Sequence, residues 1–362
     1  MIYKSIGLMS GSSLDGLDIC FAEFQEISGK WTFEILCTDC ISYSVDLYRK
    51  LLLARTLSAK DYLLLDTQYG KYLGMAVNNF IDAYKLHHQV ALVSSHGHTT
   101  FHYPESAMTH QLGNGAAIAA ETGLPVVSDL RSLDIAFGGQ GAPIVPLGET
   151  LLFPSTNFFL NLGGIANISV HNPKEVLAFD VCPANRILNL LAIQINKEYD
   201  ENGITASSGK IHEPLLQKLN NQEYYKKVAP KSLSNEFGTE YIYPIITSFN
   251  LPVADALGTY VEHIALQIKK SLEPYVAKEN SKLMITGGGA FNKFLVDRIS
   301  FHLNELSIET YVPEKELVNY KEALIMALLG ILRWREQPTV LASVTGAQKN
   351  SIGGALWLGT DA

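Results

Sequence analysis

The sequence predicts an α/β protein built from two related halves, because one pattern of strands and turns occurs twice. An apolar run, a turn rich in Gly, Ser and Asp, and a second apolar run extend over residues 6–24. The pattern returns from Thr156 as TNFFLNLGGIANISV, and each copy is followed by a third strand, a helix and a further strand. Such repetition indicates an internal duplication. Duplicated α/β halves form a cleft, and clefts are where ligands bind.

Composition narrows the class of protein further. A chain of 362 residues suits two domains, since single cores stop growing at roughly 250–300 residues. The net charge of −8 argues against a general nucleic-acid binder, which needs clustered Lys and Arg. The longest apolar run, ALIMALLGILRW from Ala323, is shorter than the ~20 residues that cross a bilayer. The first residues lack a signal-peptide core, so we expect a cytoplasmic protein.

The first half reads as strands around one long helix. KSIGLM, LDICFAEF and TFEILCTDCISY are strand candidates with partial alternation. A helix begins at Ser58, where Ser58 and Asp61 form a capping-box variant, and apolar residues then recur at helical spacing as far as Tyr84. QVALVSSHG predicts a buried strand, NGAAIAAETG a short helix ending at Gly123, and LPVVSDL another strand.

The second half repeats this order. VLAFD is its third strand, and helices are predicted over 184–197 and 252–276. KLMITGGGAFNKFLV reads as a strand, a triple glycine and a helix, and SVTGAQKNSIGGALWLG supplies a last strand. No linker rich in Pro or Ser separates the halves, so we expect the boundary to be a hinge within compact structure.

Three glycine turns are candidates for binding phosphate: MSGSSLDG, NLGGIANIS and TGGGAFN. Glycine lets successive backbone N–H groups converge on an anion, and hydroxyl side chains add donors. The first turn alone is equally typical of a plain hairpin. The triple glycine follows a strand and opens a helix, whose first N–H groups favour phosphate. Neither G-x-x-x-x-G-K-[ST] nor G-x-G-x-x-G occurs, so any nucleotide would be bound by another architecture.

The three turns, in this order, resemble those of the actin and sugar-kinase superfamily. The likeness narrows to the anhydro-N-acetylmuramic acid kinase family through GLMSGSSLDGLD, SSHGHTTFHYP, GLPVVSDLRSLDIAFGGQGAPIVPLGE, NLGGIANIS, FDVCPANRILN, YDENGITASSGK, ITGGGAFN and SVTGA. It implies two duplicated ribonuclease-H-like (actin-like ATPase) domains with an interdomain cleft for ATP and substrate. Residues 1–130 and about 340–362 would form the N-terminal domain. Residues 131–339 would form the C-terminal domain, which carries the adenosine loop.

The resemblance also implies a reaction. The family opens the 1,6-anhydro ring of its amino sugar and phosphorylates O6, giving N-acetylmuramic acid 6-phosphate and ADP in peptidoglycan recycling. The implied cofactors are ATP and Mg²⁺, and the magnesium contacts are left open because Met9 stands where many superfamily kinases have an aspartate. The implied partners are the amino sugar and ATP, without nucleic acid or membrane. A homodimer is left open.

Two carboxylates are implied to be catalytic. Asp180, in FDVCPAN, occupies the position of the base that activates water, and the alternative is that it only caps the following helix. Glu322 is a second candidate, whose alternative is a first-turn residue favoured by the helix dipole. Nucleotide contacts are implied at the three turns. These residues are Gly11, Ser12, Ser13, Leu14, Asp15, Gly16, Leu17, Asp18, Gly163, Gly164, Asn167, Gly287, Gly288, Gly289 and Asn292.

Six residues are implied to bind the sugar: His96, His98, Arg131, Asp134, Gln140 and Asn185. Arg131 would pair with the lactyl carboxylate, since a guanidinium offers forked donors; the alternative is an ion pair with Asp129 or Asp134. Asp134 and Gln140 would bond hydroxyl or acetamido groups. His96, His98 and His102 share a strand face by spacing, but no matching ligand set accompanies them, so we predict no metal there.

Several positions depart from the family pattern. Ser12, His98, Val181, Cys182 and Ala184 replace Thr, Gln, Thr, Gly and Gly. These departures bear more on which substrate the protein uses than on whether it uses ATP. Two alternatives therefore stay open, a kinase of another amino sugar or hexose on the same fold and a non-catalytic ATP-driven clasp. In the alternative kinase, Asp180 would deprotonate a sugar hydroxyl. The occurrence of both Asp180 and the GGQGAP segment in this chain argues against the non-catalytic clasp.

Overall fold

The chain folds into two compact units. The computed structural model describes residues 1–11, 14–172, 176–234, 236–276 and 280–360. One unit comprises Met1–Pro154 with Tyr320–Ala362, and the other comprises Ser155–Asn319. The division falls at other residues than the predicted domain boundaries. Residues 131–154 join the first unit because Asp134 bonds Thr345 and Glu149 pairs with Lys321.

Strands and helices alternate along the described residues. The strands are β1 (Ile2–Ser10), β2 (Leu17–Ile27), β3 (Lys30–Ile41), β4 (Leu92–Tyr103), β5 (Met108–Leu112), β6 (Val126–Ser128), β7 (Phe158–Leu162), β8 (Ile165–His171), β9 (Val176–Pro183), β10 (Ser281–Thr286), β11 (Ile308–Tyr311) and β12 (Ala355–Trp357). The α-helices are α1 (Val45–Leu53), α2 (Ala59–Tyr84), α3 (Gly115–Thr122), α4 (Ser132–Ala136), α5 (Val145–Leu152), α6 (Asn185–Ile193), α7 (Ile204–Ser208), α8 (Glu213–Asn220), α9 (Tyr243–Thr247), α10 (Val253–Leu272), α11 (Lys293–Asn304), α12 (Lys315–Trp334) and α13 (Ala342–Thr345).

Each unit contains the same five-strand core. In the first, β3, β2 and β1 are antiparallel neighbours, and β4 and then β6 continue the sheet parallel to β1. In the second, β9, β8 and β7 are antiparallel, and β10 and β11 continue parallel to β7. The first sheet adds β12 on β6 and β5 on β4. This repeated order confirms the predicted duplication and the ribonuclease-H-like topology of each half.

Helix α2 begins and packs as its sequence predicts. The Ser58 side chain accepts a hydrogen bond from the Asp61 N–H over 3.2 Å, which satisfies one of the free donors of the first turn. Tyr62, Tyr69 and Phe80 are buried on the predicted face, in the core of the first unit. The neighbouring helix α3 ends where predicted, at Gly123, whose φ of 71° suits a residue without Cβ.

Helix α12 lies directly on strands β1 and β4 of the first unit. A Cβ on Gly7 would come within 1.9 Å of the Ala323 carbonyl oxygen, and one on Gly330 within 2.5 Å of the Ser94 Cβ. Only glycine permits so close an approach. The contact places Glu322, which precedes Ala323, beside the first strand of the sheet.

Other elements differ from the sequence expectations. Strand β4 is longer than predicted, and its hairpin partner β5 was not predicted, because MTHQL is too polar to indicate a strand. The last strand, β12, has three residues. Helix α10 is buried on several faces in the second core. Across the described residues, no helix combines the length and the apolar character that a bilayer span requires.

Candidate active site

The opening turn joins β1 to β2 of the first unit. The Leu14 N–H donates to the Gly11 carbonyl over 3.2 Å, while Ser12 and Ser13 lie outside the described residues. A Cβ on Gly16 would lie 2.9 Å from the Cys40 Sγ, so glycine lets the turn approach β3. The Leu17 side chain is buried in the core, which leaves only its backbone for a ligand.

Asp18 is the partly buried carboxylate of this hairpin. It lies in β2 between Met9 of β1 and Cys40 of β3. Burial raises its pKa to about 6, a hydrogen bond with Cys40 opposes the rise, and the charges of Asp15 and Glu322 add to it. A nearby cation would therefore favour the ionised form of Asp18. Within the described ranges, no group of three or more His, Cys, Asp or Glu side chains is placed to hold a metal ion by itself.

Strand β4 carries two of the predicted sugar-binding residues around a bulge. The pairing of β1 with β4 runs from Leu8 opposite Ser95 to Ser10 opposite His98, so β4 contains one extra residue. Gly97, with φ of 72°, lies in this bulge. The bulge interrupts strand alternation, and His96 and His98 consequently bind different partners, Arg131 and Ser10.

Arg131 is held by two neutral acceptors. Its Nε and Nη2 lie 2.9 Å and 2.7 Å from His96 Nε2, and its Nη1 donates to the Gly141 carbonyl over 3.2 Å. The His96 Nδ1 donates to the Gly97 carbonyl, which leaves Nε2 as the acceptor. Burial and the Arg131 charge lower the pKa of His96 to about 3. The imidazole is therefore neutral and orients the guanidinium without cancelling its charge.

The alternative ion pair of Arg131 does not form among the described contacts. Asp129 Oδ1 instead accepts from the Ser132 N–H and hydroxyl. Asp134 Oδ2 accepts from the Gly141 N–H and its Oδ1 from the Thr345 hydroxyl, each over 2.8 Å. Burial lowers the pKa of Arg131 to about 10, with the charge of Glu322 opposing this change. Arg131 thus stays available to an anionic ligand.

Asp134 supports the loop that follows it. Its side chain is 0% exposed and both of its oxygens are bonded within the chain. A Cβ on Gly139 would lie 2.2 Å from Asp134 Oδ2, so the loop wraps tightly around the carboxylate. Gln140 has an exposed side chain, and its N–H donates to the Thr345 carbonyl over 2.9 Å. Asp134 therefore positions Gly141, whose carbonyl holds Arg131.

Glu322 is half-buried in α12 of the first unit. Burial raises its pKa, the charges of Lys321 and Arg131 oppose the rise, and Glu149 adds to it. The Lys321 Nζ lies 2.6 Å from Glu149 Oε1 in a buried ion pair. The predicted alternative of a first-turn residue does not apply, because α12 begins seven residues earlier, at Lys315.

Asp180 lies within β9 of the second unit, which extends three residues beyond the predicted strand, to Pro183. Asn167 pairs with Asp180 and Ala166 with Cys182, so Val181 is an extra residue in the strand. The Asp180 Oδ2 accepts from the Leu233 N–H over 2.8 Å. The alternative role as a helix cap is excluded, because Ala184 is the N-cap of α6 and no side chain caps it.

A short segment covers the edge of the sheet beside Asp180. The Asp180 N–H donates to the Lys231 carbonyl over 3.0 Å, and the Tyr224 hydroxyl donates to the Asp180 carbonyl over 2.8 Å. Burial raises the pKa of Asp180, and the Leu233 N–H opposes the rise. The result is a carboxylate on a fixed backbone whose proton affinity exceeds that of an exposed aspartate.

The two glycine turns of the second unit are brought together. The Asn185 and Ala184 N–H groups donate to the carbonyls of Gly163 and Gly164 over 3.1 Å and 2.8 Å. A Cβ on Gly289 would lie 2.7 Å from the Leu162 Cβ. The Asn185 amide donates to the Leu162 carbonyl over 2.8 Å. Asn185 therefore joins the turns, in addition to any ligand that it contacts.

Three further residues at these turns lie against neighbouring groups of the chain. A Cβ on Gly287 would lie 2.3 Å from Asn161 Oδ1, and one on Gly288 would lie 3.7 Å from Asn185 Nδ2. Asn292 caps α11, since its Oδ1 accepts from the Leu295 N–H over 3.0 Å. The nucleotide contacts of these residues stay predictions.

The sequence did not indicate three residues that the structure adds to the site. Tyr224 and Leu233 bond Asp180 from 44 and 53 residues away, a distance at which no local pattern operates. Arg186 is exposed, and a Cβ on Gly164 would lie 3.7 Å from its Nε. The one feature of the sequence that could have indicated Arg186 is its position directly after Asn185, a predicted site residue.

Comparison with known proteins gives the family. A family model described as anhydro-N-acetylmuramic acid kinase matches residues 3–359. The chain belongs to the anhydro-N-acetylmuramic acid kinase family. A protein of that name from Photobacterium profundum is 32% identical over 98% of this chain and 99% of its own length. Another, from Synechococcus elongatus, is 31% identical over 99% of this chain and 100% of its own length.

Solved structures also match over most of the chain. A ROK family glucokinase from Streptomyces griseus, in complex with glucose and AMPPNP, covers 91% of this chain and 99% of its own at 12% identity, with a TM-score of 0.43. The component A of (R)-2-hydroxyglutaryl-CoA dehydratase from Acidaminococcus fermentans covers 91% of this chain and 97% of its own. It matches at 13% identity, with a TM-score of 0.47. Membership of the anhydro-N-acetylmuramic acid kinase family therefore rests on the family model and the sequence relatives, and it confirms the resemblance read from the motifs.

The role of Asp134 in the loop is testable without substrate. Asp134→Ala should lower the free energy of unfolding by about 1–3 kcal/mol, because the buried Gly141 N–H and Thr345 hydroxyl lose their acceptor. Asp134→Asn should lower it less, because the Thr345 hydroxyl can accept from the amide and donate to the Leu341 carbonyl, 3.4 Å away. Urea denaturation measures both. An Asp134→Ala variant of unaltered stability would contradict the loop role.

Proposed function

We propose that this protein uses ATP to open the 1,6-anhydro ring of 1,6-anhydro-N-acetylmuramic acid and to phosphorylate O6. The products are N-acetylmuramic acid 6-phosphate and ADP. The observation that carries the proposal is a half-buried carboxylate, Asp180, which accepts from the Leu233 N–H and has a raised pKa, in a chain that matches this kinase family over residues 3–359. Because the reaction consumes ATP, the proposal assigns the enzyme to the cytoplasm, where it would serve peptidoglycan recycling.

Asp180 acts as the general base. It accepts a proton from water as the water oxygen bonds to the anomeric carbon. The bond from that carbon to O6 breaks, O6 bonds to the γ-phosphorus of ATP, and the bond from phosphorus to the ADP oxygen breaks. A base of raised pKa holds the proton more strongly than an exposed aspartate would, and general-base help contributes about 10²–10⁴ in rate. The hydrogen bond from the Leu233 N–H fixes one oxygen and leaves the other for water.

Arg131 binds the lactyl carboxylate. Its guanidinium is oriented by His96 and by the Gly141 carbonyl, neither of which carries a charge to offset it. An anionic substrate supplies the missing charge through a charge-assisted hydrogen bond, which is stronger than a neutral one. This feature supports a sugar acid over a neutral hexose as the substrate.

The glycine turns of both units bind the nucleotide. Magnesium neutralises phosphate charge when it enters with ATP and keeps several waters, so it needs one or two protein carboxylates, not a complete cage. Asp18 fits this requirement, because burial raises its pKa to about 6, the charges of Asp15 and Glu322 add to the rise, and a cation would favour its ionised form. Asp18 would hold the metal, directly or through water. Glu322 contributes negative charge to the same region.

Labelled water tests the reaction. The protein, ATP, Mg²⁺ and 1,6-anhydro-N-acetylmuramic acid are incubated in ¹⁸O-water, and the product is analysed by mass spectrometry. We expect a 6-phosphate with one ¹⁸O at the anomeric carbon. The reaction is quenched early. As a control, unlabelled N-acetylmuramic acid 6-phosphate is placed in ¹⁸O-water for the same time, which measures how much label enters the free anomeric position by exchange. Phosphorylation of hexoses but not of the anhydro sugar would refute the proposal.

Replacing Asp180 tests the base. Asp180→Asn should keep ATP binding and lower kcat by about 10²–10⁴, because the amide still accepts from the Leu233 N–H but takes no proton. In the unaltered enzyme kcat/KM should fall as the pH drops through the raised pKa of Asp180, since protonation removes the base. That acid limb should therefore lie above the pH expected of an exposed aspartate. Near-normal turnover of Asp180→Asn would remove Asp180 from the mechanism.

A pair of sugars tests Arg131. Arg131→Ala should weaken binding of 1,6-anhydro-N-acetylmuramic acid by about 10–100-fold, because a charge-assisted hydrogen bond is lost. Binding of 1,6-anhydro-N-acetylglucosamine, which lacks the lactyl group, should change little. Calorimetry of both sugars with both proteins gives the comparison. Equal losses for the two sugars would mean that Arg131 does not recognise the carboxylate.

A further inference from the structure

Three hydroxyl groups lead to His98 in the first unit. The Tyr43 hydroxyl donates to Ser10 Oγ over 2.8 Å and lies 2.8 Å from the Tyr69 hydroxyl oxygen. Ser10 Oγ lies 3.1 Å from His98 Nδ1. Tyr69, Ser10 and His98 are buried, so water does not compete for these bonds. We call Tyr69, Tyr43 and Ser10 the hydroxyl chain.

Counting protons gives the direction of every bond in the hydroxyl chain. Burial raises the pKa of Tyr43 to about 12 and that of Tyr69 well above 10, so both phenols keep their protons. Tyr43 gives its single proton to Ser10, and Tyr69 must therefore donate to Tyr43. The Tyr69 hydroxyl also interacts with Ser10, but apart from the bond with Tyr43 the hydrogen bond of Ser10 with complete geometry among the described residues is the one with His98 Nδ1, so the Ser10 proton goes there.

His98 is consequently a neutral imidazole with its proton on Nε2. Burial lowers the pKa of His98 to about 4, which keeps the ring neutral near pH 7. The opposite tautomer would give Ser10 Oγ two incoming donors and leave its own proton only the Tyr69 oxygen, with which Ser10 forms no hydrogen bond of complete geometry. An unsatisfied buried hydroxyl is unfavourable, so the network selects the Nε2–H form.

We propose that the hydroxyl chain holds His98 in the Nε2–H form, and that this N–H is the donor that β4 offers to a hydroxyl or acetamido oxygen of the sugar. The inference rests on the proposed function and adds Tyr43 and Tyr69 as positioning residues. Two observations support the assignment. His98 Nε2 has no hydrogen-bond partner among the described residues, and His98 follows His96, which holds Arg131, across a single glycine.

The tautomer can be measured without substrate. The nitrogen chemical shifts of ¹⁵N-labelled histidine distinguish the protonated from the unprotonated ring nitrogen, and His98→Gln identifies the His98 signal among the 10 histidines. We expect an unprotonated Nδ1 in the unaltered protein. Tyr43→Phe should populate the Nδ1–H form, because Ser10 Oγ loses its donor and can accept from the ring. A protonated Nδ1 in the unaltered protein, or no change in Tyr43→Phe, would overturn the proposal.

The chain offers a matched control in Tyr72. Its ring stacks on Tyr69 with centroids 5.9 Å apart, and its buried hydroxyl has no hydrogen-bond partner in the part of the chain that the structure describes. Tyr72→Phe therefore removes a hydroxyl from the same aromatic cluster without changing the hydroxyl chain. It should leave the His98 nitrogen shifts as they are in the unaltered protein, and a change equal to that of Tyr43→Phe would overturn the proposal.

Kinetics test the donor itself. Tyr43→Phe should raise KM for the sugar roughly three- to tenfold while kcat and KM for ATP change less than twofold, since one oriented hydrogen bond is weakened. His98→Gln should keep KM within about threefold, because Gln also offers an acceptor to Ser10 and a donor beyond it. His98→Leu should raise KM about tenfold. Equal KM values in His98→Leu and the unaltered protein would refute the donor role.

If the unaltered protein phosphorylates no sugar, the proposed function and the donor role both fail. The nitrogen shifts still decide whether the hydroxyl chain sets the tautomer of His98.

Discussion

Two bulges in the strand ladders govern where the candidate catalytic and sugar-binding side chains lie. In β4 the extra residue at Gly97 separates His96, which holds Arg131, from His98, which meets Ser10. In β9 the extra residue Val181 follows Asp180. Because side chains alternate along a regular strand, one added residue changes which face every later residue occupies. A Cβ on Gly97 would lie 2.4 Å from the Leu112 carbonyl oxygen, so the first bulge requires glycine.

Among the described residues, Arg131 and Asp180 are hydrogen-bonded to uncharged groups, and Arg131 is influenced only at longer range by the charge of Glu322. Arg131 is bonded to a neutral imidazole and a carbonyl, and Asp180 to one backbone N–H. A stable fold normally pairs a buried charge, because an isolated one is costly to desolvate. The buried pair of Glu149 and Lys321 follows that rule. The contrast separates an ion pair that is neutralised within the fold from the charges to which the proposed function gives a role in catalysis and substrate binding.

The sequence motifs named the candidate residues but did not predict the contacts that hold them. FDVCPAN pointed to Asp180, but its position inside a strand and its partners Leu233 and Tyr224 depend on a segment 44 to 53 residues away. DLRSLD pointed to both Arg131 and Asp134. The assignment of Asp134 to the sugar did not anticipate Thr345, which bonds its carboxylate from 211 residues along the chain. Each unpredicted contact joins residues far apart in sequence.

The amino-acid sequence by itself determined the local features and the duplicated architecture. The Ser58 cap, the apolar face of α2, the Gly123 helix end and the paired strand patterns all arise from interactions within a few residues. The tertiary structure alone decided which polar group each site residue binds, and with it the tautomer of His98 and the raised pKa of Asp180. Hydrogen bonding and desolvation depend on every group that surrounds a side chain, and those groups come from strands and loops that only the folded chain brings together.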